Sequence, residues 1–467
     1  MATADRFCVG RLEVDDLPDD LLIYIFKLYR RDIDYYYDAW PWLALVHVCK
    51  RWRRIIFAWP HHIDVRHDCK SGTAVTKALD AWPNLPISIR SRLNHNLIDS
   101  DGGDLIAALE HRDRIVGIDF SSGLSKPQLE RCAALMQAPF PFLRTLSINC
   151  YAVVPPMISD AFLGGSTPRL QKLSLCHVPF PTLPKLLLSA HDLVELRLEY
   201  FASTGYISSD VMATCMSVLA RLQYVGITFW STKSIPQVRT DPCPLLSTRA
   251  RLPALATLVF SGVREYSEDL MSRIDAPLLR CLRLKFHYQP IIDNPQLSRL
   301  INGMEKLKSP LLASIVFHAD GIEVSMSSSV GGSLVLEFTC TGLDKQISLL
   351  ERFWTQCLPL RSQVRELELS KTYNLHKDQQ NTISWLGFLR PFNALQILYL
   401  RDGELGVEIA HVLGEHSRQS ILEMLPMLYT LKLDRCDQVG LLITSLKPFI
   451  DARRLSGHPV TMEWEDS

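Results

Sequence analysis

From about residue 110 onward the apolar positions of the chain fall into one recurrent phrase, apolar-x-x-apolar-x-apolar. Copies begin at Ile115, Leu143, Leu170, Leu193, Leu222, Leu255, Leu279, Leu312, Val364, Leu395 and Leu428. The last two apolar positions of a copy are two apart, as in Leu173 and Leu175 or Leu398 and Leu400, which is the spacing of side chains on one face of a strand. Successive copies start roughly 23 to 33 residues apart, except across the wider gap before Val364. The connectors hold helix-like segments such as 184–190 and 209–220. Strand, crossover and strand again predict a parallel sheet. Three stretches break the rhythm and are expected to leave the array as loops or small additions. Ser231 to Arg251 is rich in Pro, Ser and Thr, Lys371 to Asn381 is polar, and the region from Ile322 to Phe338 alternates like a hairpin across Gly331 and Gly332.

The pattern changes near the amino terminus, where apolar residues recur at steps of three and four. Behind a helix-starting Pro18, Leu21 or Leu22, Ile25 and Leu28 define one face, and Asp19 and Asp20 lie in the first turn, where the helix dipole favours negative charge. A second helix is expected from Pro41 until Pro60 stops it, carrying Leu45, Val48, Cys49, Trp52, Ile55, Ile56 and Trp59, with Lys50, Arg51, Arg53 and Arg54 on the wet face. So short a segment cannot bury both apolar faces, which implies a partner.

Leu17-Pro18, then Ile25-Phe26, then Val48-Cys49-Lys50-Arg51-Trp52-Arg53 resembles the F-box, the short helical module that binds the Skp-type adaptor of cullin–RING ubiquitin ligases. The resemblance implies a Skp-type adaptor and the cullin ligase core as partners. It implies Leu17, Pro18, Leu21, Ile25, Phe26, Val48, Cys49 and Trp52 as the adaptor-binding residues. The connection from Arg30 to Trp40, with Tyr35-Tyr36-Tyr37, is longer than that family usually has. The later phrase is similar to the leucine-rich repeat, whose units stack and share one core. The usual Asn or Cys after the final apolar is replaced by Tyr151, Val178, Phe201 and Trp230, and only Cys436 fits, so irregular curvature is expected.

Together these imply an α/β protein in which an N-terminal helical F-box-like module precedes an irregular leucine-rich-repeat solenoid with a curved parallel sheet. The expected boundaries are a tail over 1–12, the module over 13–65, a linker and first capping segment over 66–110, the repeat array over 111–457 and a tail over 458–467. The implied function is substrate recognition for the ligase, with no bond chemistry in this chain. A stand-alone repeat scaffold or inhibitor, whose first helices merely cap the array, is the alternative.

Residues that alternate with the buried pairs should form a polar stripe that meets an unknown target protein. Its candidate target-binding residues are Arg197, Arg283, Lys285, Glu366, Glu368, Tyr399 and Arg401. Tyr399 and Arg401 are the expected anchors, because aromatic residues and arginine dominate interface hot spots.

Composition narrows the partners. Lysine plus arginine equal aspartate plus glutamate at 50 each in 467 residues, so no long-range field favours nucleic acid or anionic lipid. Hydrophobic residues at 47% fit an ordered globular protein, and no apolar run reaches the roughly 18 to 20 residues of a membrane span. Met1 to Phe7 lacks the basic start and apolar stretch of a secretion signal, so a cytoplasmic or nuclear location is expected. The 12 cysteines are scattered without C-x-x-C spacing and read as reduced, mostly buried thiols. His61, His62, His67 and Cys69 are the best metal candidate, and no second ligand pair follows. Phosphate-binding, dinucleotide and nucleophile-elbow motifs are lacking, so neither a cofactor nor an enzymatic role is expected.

Overall fold

A computed structural model of the chain describes residues 14–32, 41–59, 67–70, 85–90, 103–152, 154–201, 203–229, 249–287, 295–308, 311–357, 362–372, 385–414, 425–434 and 439–465. Two compact units emerge, residues 1–148 with 161–164 and residues 149–160 with 165–467.

In the first unit, α1 (Asp19–Asp32) starts behind Pro18, whose carbonyl accepts from the Leu21 and Leu22 amides at 3.1 Å each. The single second helix expected from the sequence is instead two, α2 (Pro41–Val48) and α3 (Lys50–Ala58). Between them Cys49 is extended (φ −155°, ψ 170°), and its Sγ accepts from the Trp52 amide at 3.4 Å. A thiol thus does the capping usually given to Ser or Asp. The apolar period runs straight through the break and conceals it. Strands β1 (His67–Lys70), β2 (Ile87–Arg90) and β3 (Ile115–Leu124) lie side by side with parallel pairing, so the stretch read as a linker contributes two strands. The unit also holds α4 (Gly103–Glu110), α5 (Lys126–Leu135) and the start of β4 (Thr145–Cys150), which follows β3 in the sheet.

The second unit alternates strands with connectors. It runs β5 (Lys172–Cys176), α6 (Leu183–Ser189), β6 (Glu195–Phe201), α7 (Ser209–Ser217), β7 (Tyr224–Phe229), β8 (Ala250–Arg251), β9 (Thr257–Gly262), α8 (Arg264–Arg273), β10 (Ile274–Asp275), β11 (Cys281–Phe286) and α9 (Pro295–Asn302). It continues through β12 (Leu312–His318), β13 (Gly321–Ser327), β14 (Ser333–Thr339), α10 (Leu343–Cys357), β15 (Glu366–Lys371), α11 (Trp385–Leu389), β16 (Ile397–Leu400), α12 (Gly403–Gly414), β17 (Thr430–Asp434), α13 (Val439–Leu455) and β18 (Thr461–Glu465). The two-residue strands β8 and β10 pair with each other alone.

Register explains the phrase. One ladder joins Leu173, Leu196, Val225, Leu258 and Leu282, and a second joins Leu175, Leu198, Ile227, Phe260 and Leu284, all at most 2% exposed. The first apolar residue of a copy closes a turn before the strand. Leu193 donates to the Ala190 carbonyl, Leu222 to Leu219, Leu395 to Phe392 and Leu428 to Leu425, at 3.0 to 3.2 Å. Ladders and turns together bury one face and leave the alternate side chains facing outward.

One part departs from the expected order. The hairpin at 322–338 does not leave the array: β12, β13 and β14 form an antiparallel meander inside the sheet, whose order runs β11-β14-β13-β12-β15. Its ends match their neighbours, since β14 pairs in parallel with β11 and β12 with β15. Ile322, Val324 and Met326 face Phe338, Leu336 and Leu334, which continues both buried ladders through the reversed strand. The stretch read as a terminal tail is likewise a strand, because Met462 and Trp464 extend the ladders beside Leu431 and Leu433. Of the segment 231–251, only Arg249 to Arg251 lies within the described residues, and of 371–381 only Lys371 and Thr372.

The meander turn depends on Gly332. A Cβ there would collide with the Lys306 carbonyl oxygen and lie 2.8 Å from the Leu307 nitrogen, both backbone atoms. Gly332→Ala is expected to lower unfolding free energy by about 1–3 kcal/mol in a denaturant titration. An unchanged midpoint would show that this approach is not tight.

Candidate functional site

The three amino-terminal helices enclose a small core of Leu22, Phe26, Leu45, Val46, Ile55, Ile56 and Leu85, flanked by Leu17, Ile23, Trp52 and Phe57. The Phe26 and Trp52 rings meet at 4.7 Å between centroids. Arg51 ties the corner before α1 to α3. Its Nη2 donates to the Leu17 carbonyl at 2.6 Å and to Asp19 Oδ1 at 2.7 Å, and its Nε donates to the same carboxylate at 3.0 Å. Arg53 Nε caps the end of α2 by donating to the Val46 carbonyl at 2.9 Å. No apolar period marks either arginine.

This interior fixes what remains outside. On α1, Leu22 and Phe26 point inward while Leu21, Tyr24, Ile25, Leu28 and Tyr29 stay exposed, with Leu21 at 50%, Tyr24 at 59% and Ile25 at 43%. Val48, the last residue of α2, is 58% exposed. Pro18 is exposed, and Leu17, Cys49 and Trp52 are half-buried. Phe26 is the departure: expected on the docking face, it is wholly buried, because one turn after Leu22 it falls on the inward side of α1. The sequence left Leu21 and Leu22 interchangeable, and packing separates them.

Residues 14–60 match the F-box-like family model. No curated protein matches the chain. F-box modules generally bind Skp-type adaptors, and on the F-box-like module of this chain Leu21, Ile25 and Val48 are apolar and exposed. Tyr24 and Tyr29 are also exposed on α1.

The candidate target residues occupy the outward face of the second unit, and six of the seven are already engaged with neighbours. Arg197 Nε meets Glu195 at 2.6 Å and its guanidinium covers the Tyr224 ring at 4.2 Å, while Lys172 reaches Glu195 at 3.2 Å. Lys285 pairs with Glu337 at 2.7 Å. Arg401 donates to Glu368 at 3.1 Å, the Tyr399 hydroxyl donates to Glu366 at 3.1 Å, and Lys432 stands 5.1 Å from the Tyr399 ring. Lys432 also approaches Glu463 at 3.8 Å. Arg283 is exposed between Val259 and Val335 and has no carboxylate at ion-pair distance among the described residues.

Burial pushes the thiols of Cys132, Cys176 and Cys215 up to about 11, which keeps them protonated and poorly nucleophilic near neutral pH. Among the described residues no cluster of three or more His, Cys, Asp and Glu side chains is placed to hold a metal ion. The grouping at His61, His62, His67 and Cys69 has side chains outside the described residues. No helix among the described residues is long and apolar enough to cross a membrane.

Proposed function

We propose that this protein is a substrate-recognition subunit of a cullin–RING ubiquitin ligase. The F-box-like module docks a Skp-type adaptor, and the strand array, read as degenerate leucine-rich repeats, presents its outward face to a target protein. The chain performs no bond chemistry in this reading and instead fixes the distance between target and ligase core. The observation that carries it is that Leu21, Ile25 and Val48, all apolar, stay exposed with Pro18 on a module whose core of Leu22, Phe26, Leu45, Val46, Ile55, Ile56 and Leu85 is already filled. A helix that buries one face within its own module and leaves a second apolar face outside is built for a contact between molecules.

The test titrates purified full-length chain with a Skp-type adaptor. Leu21→Asp, Ile25→Asp or Val48→Asp would each place an unpaired carboxylate in the contact, costing several kcal/mol, so affinity should fall roughly a hundredfold or more. Because these side chains are exposed in the free protein, the unfolding transition should stay in place. Failure of the parent chain to bind the adaptor, or equal binding by all three variants, would overturn the reading and favour a scaffold whose first helices only cap the array.

A further inference from the structure

The apolar side chains left exposed on the helical module are carried by two separate elements, Leu21 and Ile25 by α1 and Val48 by the end of α2. A partner that covers them together needs those elements held in one arrangement. Beyond the shared core, each is tied to α3 by an arginine. Arg51 reaches the corner before α1, where its Nη2 donates to the Leu17 carbonyl at 2.6 Å and to Asp19 Oδ1 at 2.7 Å. The next carbonyl, that of Pro18, takes the Leu21 and Leu22 amides at 3.1 Å, so whatever fixes this corner also fixes the first turn of α1. Arg53 serves the other element. Its Nε donates at 2.9 Å to the Val46 carbonyl, an acceptor that a helix end leaves without an intrahelical donor, two residues before Val48. Neither placement follows from α3 alone, because the helix dipole disfavours cations in the first turn and both arginines stand among the first four residues of α3. Their reason is non-local.

We infer that Arg51 and Arg53 are positioning residues of the adaptor-docking site, Arg51 for Pro18 and Leu21 and Arg53 for Val48. This rests on the proposal that the module docks a Skp-type adaptor. The adaptor then meets a surface whose ordering cost has already been met in the free module. Global stability is a poor account of these contacts. The Arg51–Asp19 pair is open to solvent, with side chains 29% and 48% exposed, and such pairs add little to folding. Leu22, Phe26, Ile55 and Ile56 fill the core without either guanidinium, so removing one should free a docking element and leave the fold standing.

The experiment titrates the full-length chain and its variants with a purified Skp-type adaptor. Arg51→Gln and Arg53→Gln should each weaken binding roughly tenfold, with the unfolding midpoint in place. Double-mutant cycles separate positioning from general loosening. Arg51→Gln should couple to Leu21→Ala and not to Val48→Ala, and Arg53→Gln should do the reverse. Arg51→Lys, which keeps a charge near Asp19 without the planar fork, should restore part of the affinity. Amide exchange gives a reading that needs no adaptor. The Leu21 and Leu22 amides should quicken in Arg51→Gln and the Trp52 amide, which donates to the Cys49 sulfur, in Arg53→Gln, while Phe26, Ile55 and Ile56 keep their protection. Parental affinity in both variants, equal coupling to both alanine substitutions, or unchanged exchange at these amides overturns the inference. A parent chain that ignores the adaptor, with exchange shifted as expected, overturns the ligase reading and leaves the two ties in place.

Discussion

Replacing Phe26 with alanine is expected to unfold the helical module and abolish adaptor binding, although Phe26 itself never reaches the docking face. Its side chain is 0% exposed and lies 4.7 Å from the Trp52 ring, at the centre of a core with only a handful of members. Truncation of a buried phenylalanine costs about 3–5 kcal/mol, and so small a core has few neighbours able to collapse into the space. Amide hydrogen exchange should therefore quicken across α1 to α3 while strands β5 to β18 keep their protection. Ile25→Asp separates folding from docking, since it should lose the adaptor with exchange in α1 to α3 unchanged. Parental affinity and parental protection in Phe26→Ala would refute this account of the core.

Gln346 governs the second large effect. It is fully buried on α10, and its Nε2 donates to the carbonyls of His318 at 2.8 Å, Gly321 at 3.1 Å and Cys340 at 2.7 Å. Those carbonyls belong to the end of β12, the start of β13 and the residue after β14, so one amide satisfies the acceptors at one end of the meander. Gln346→Leu keeps the volume and removes the donor, leaving buried carbonyls unmet at about 1–3 kcal/mol each. An amide carries only two hydrogens, so a loss of about 2–4 kcal/mol is expected in a denaturant titration. Gln346→Glu should be worse at neutral pH, because a carboxylate then faces three acceptors. Equal stability of Gln346→Glu and the parent would sink the assignment.

How much of this was legible in the sequence varies with the range of the interaction involved. The strand pairs Leu173 with Leu175 and Leu398 with Leu400 were legible because a period of two is local. The hairpin from Ile322 to Phe338 was visible as a hairpin for the same reason. Its place inside the sheet was not, since that depends on the Ser333 amide meeting the Arg280 carbonyl at 2.8 Å across a span no local pattern encodes. The break at Cys49 was hidden because cysteine is an unusual helix cap and the apolar spacing on either side stays in phase. Leu21 and Leu22 were ambiguous because adjacent residues on α1 differ by about 100° and both lay near the edge of the apolar face. A further cue went unread: the residue three before many copies of the phrase, such as Phe140, Ala190, Leu219, Leu252 or Phe392, is also apolar and closes the turn into the strand.

The reversed meander constrains how the chain assembles as it leaves the ribosome. Strands β5, β6, β7, β9 and β11 can be laid down one after another, each on the edge left by the strand before it in the sheet. The next strand to emerge, β12, has no place on that edge, which is reserved for β14. Until residue 339 has been made, the β11 edge stays open to any extended segment, including that of another nascent copy. Strand order therefore departs from chain order once, at the meander, before β15 resumes it beside β12.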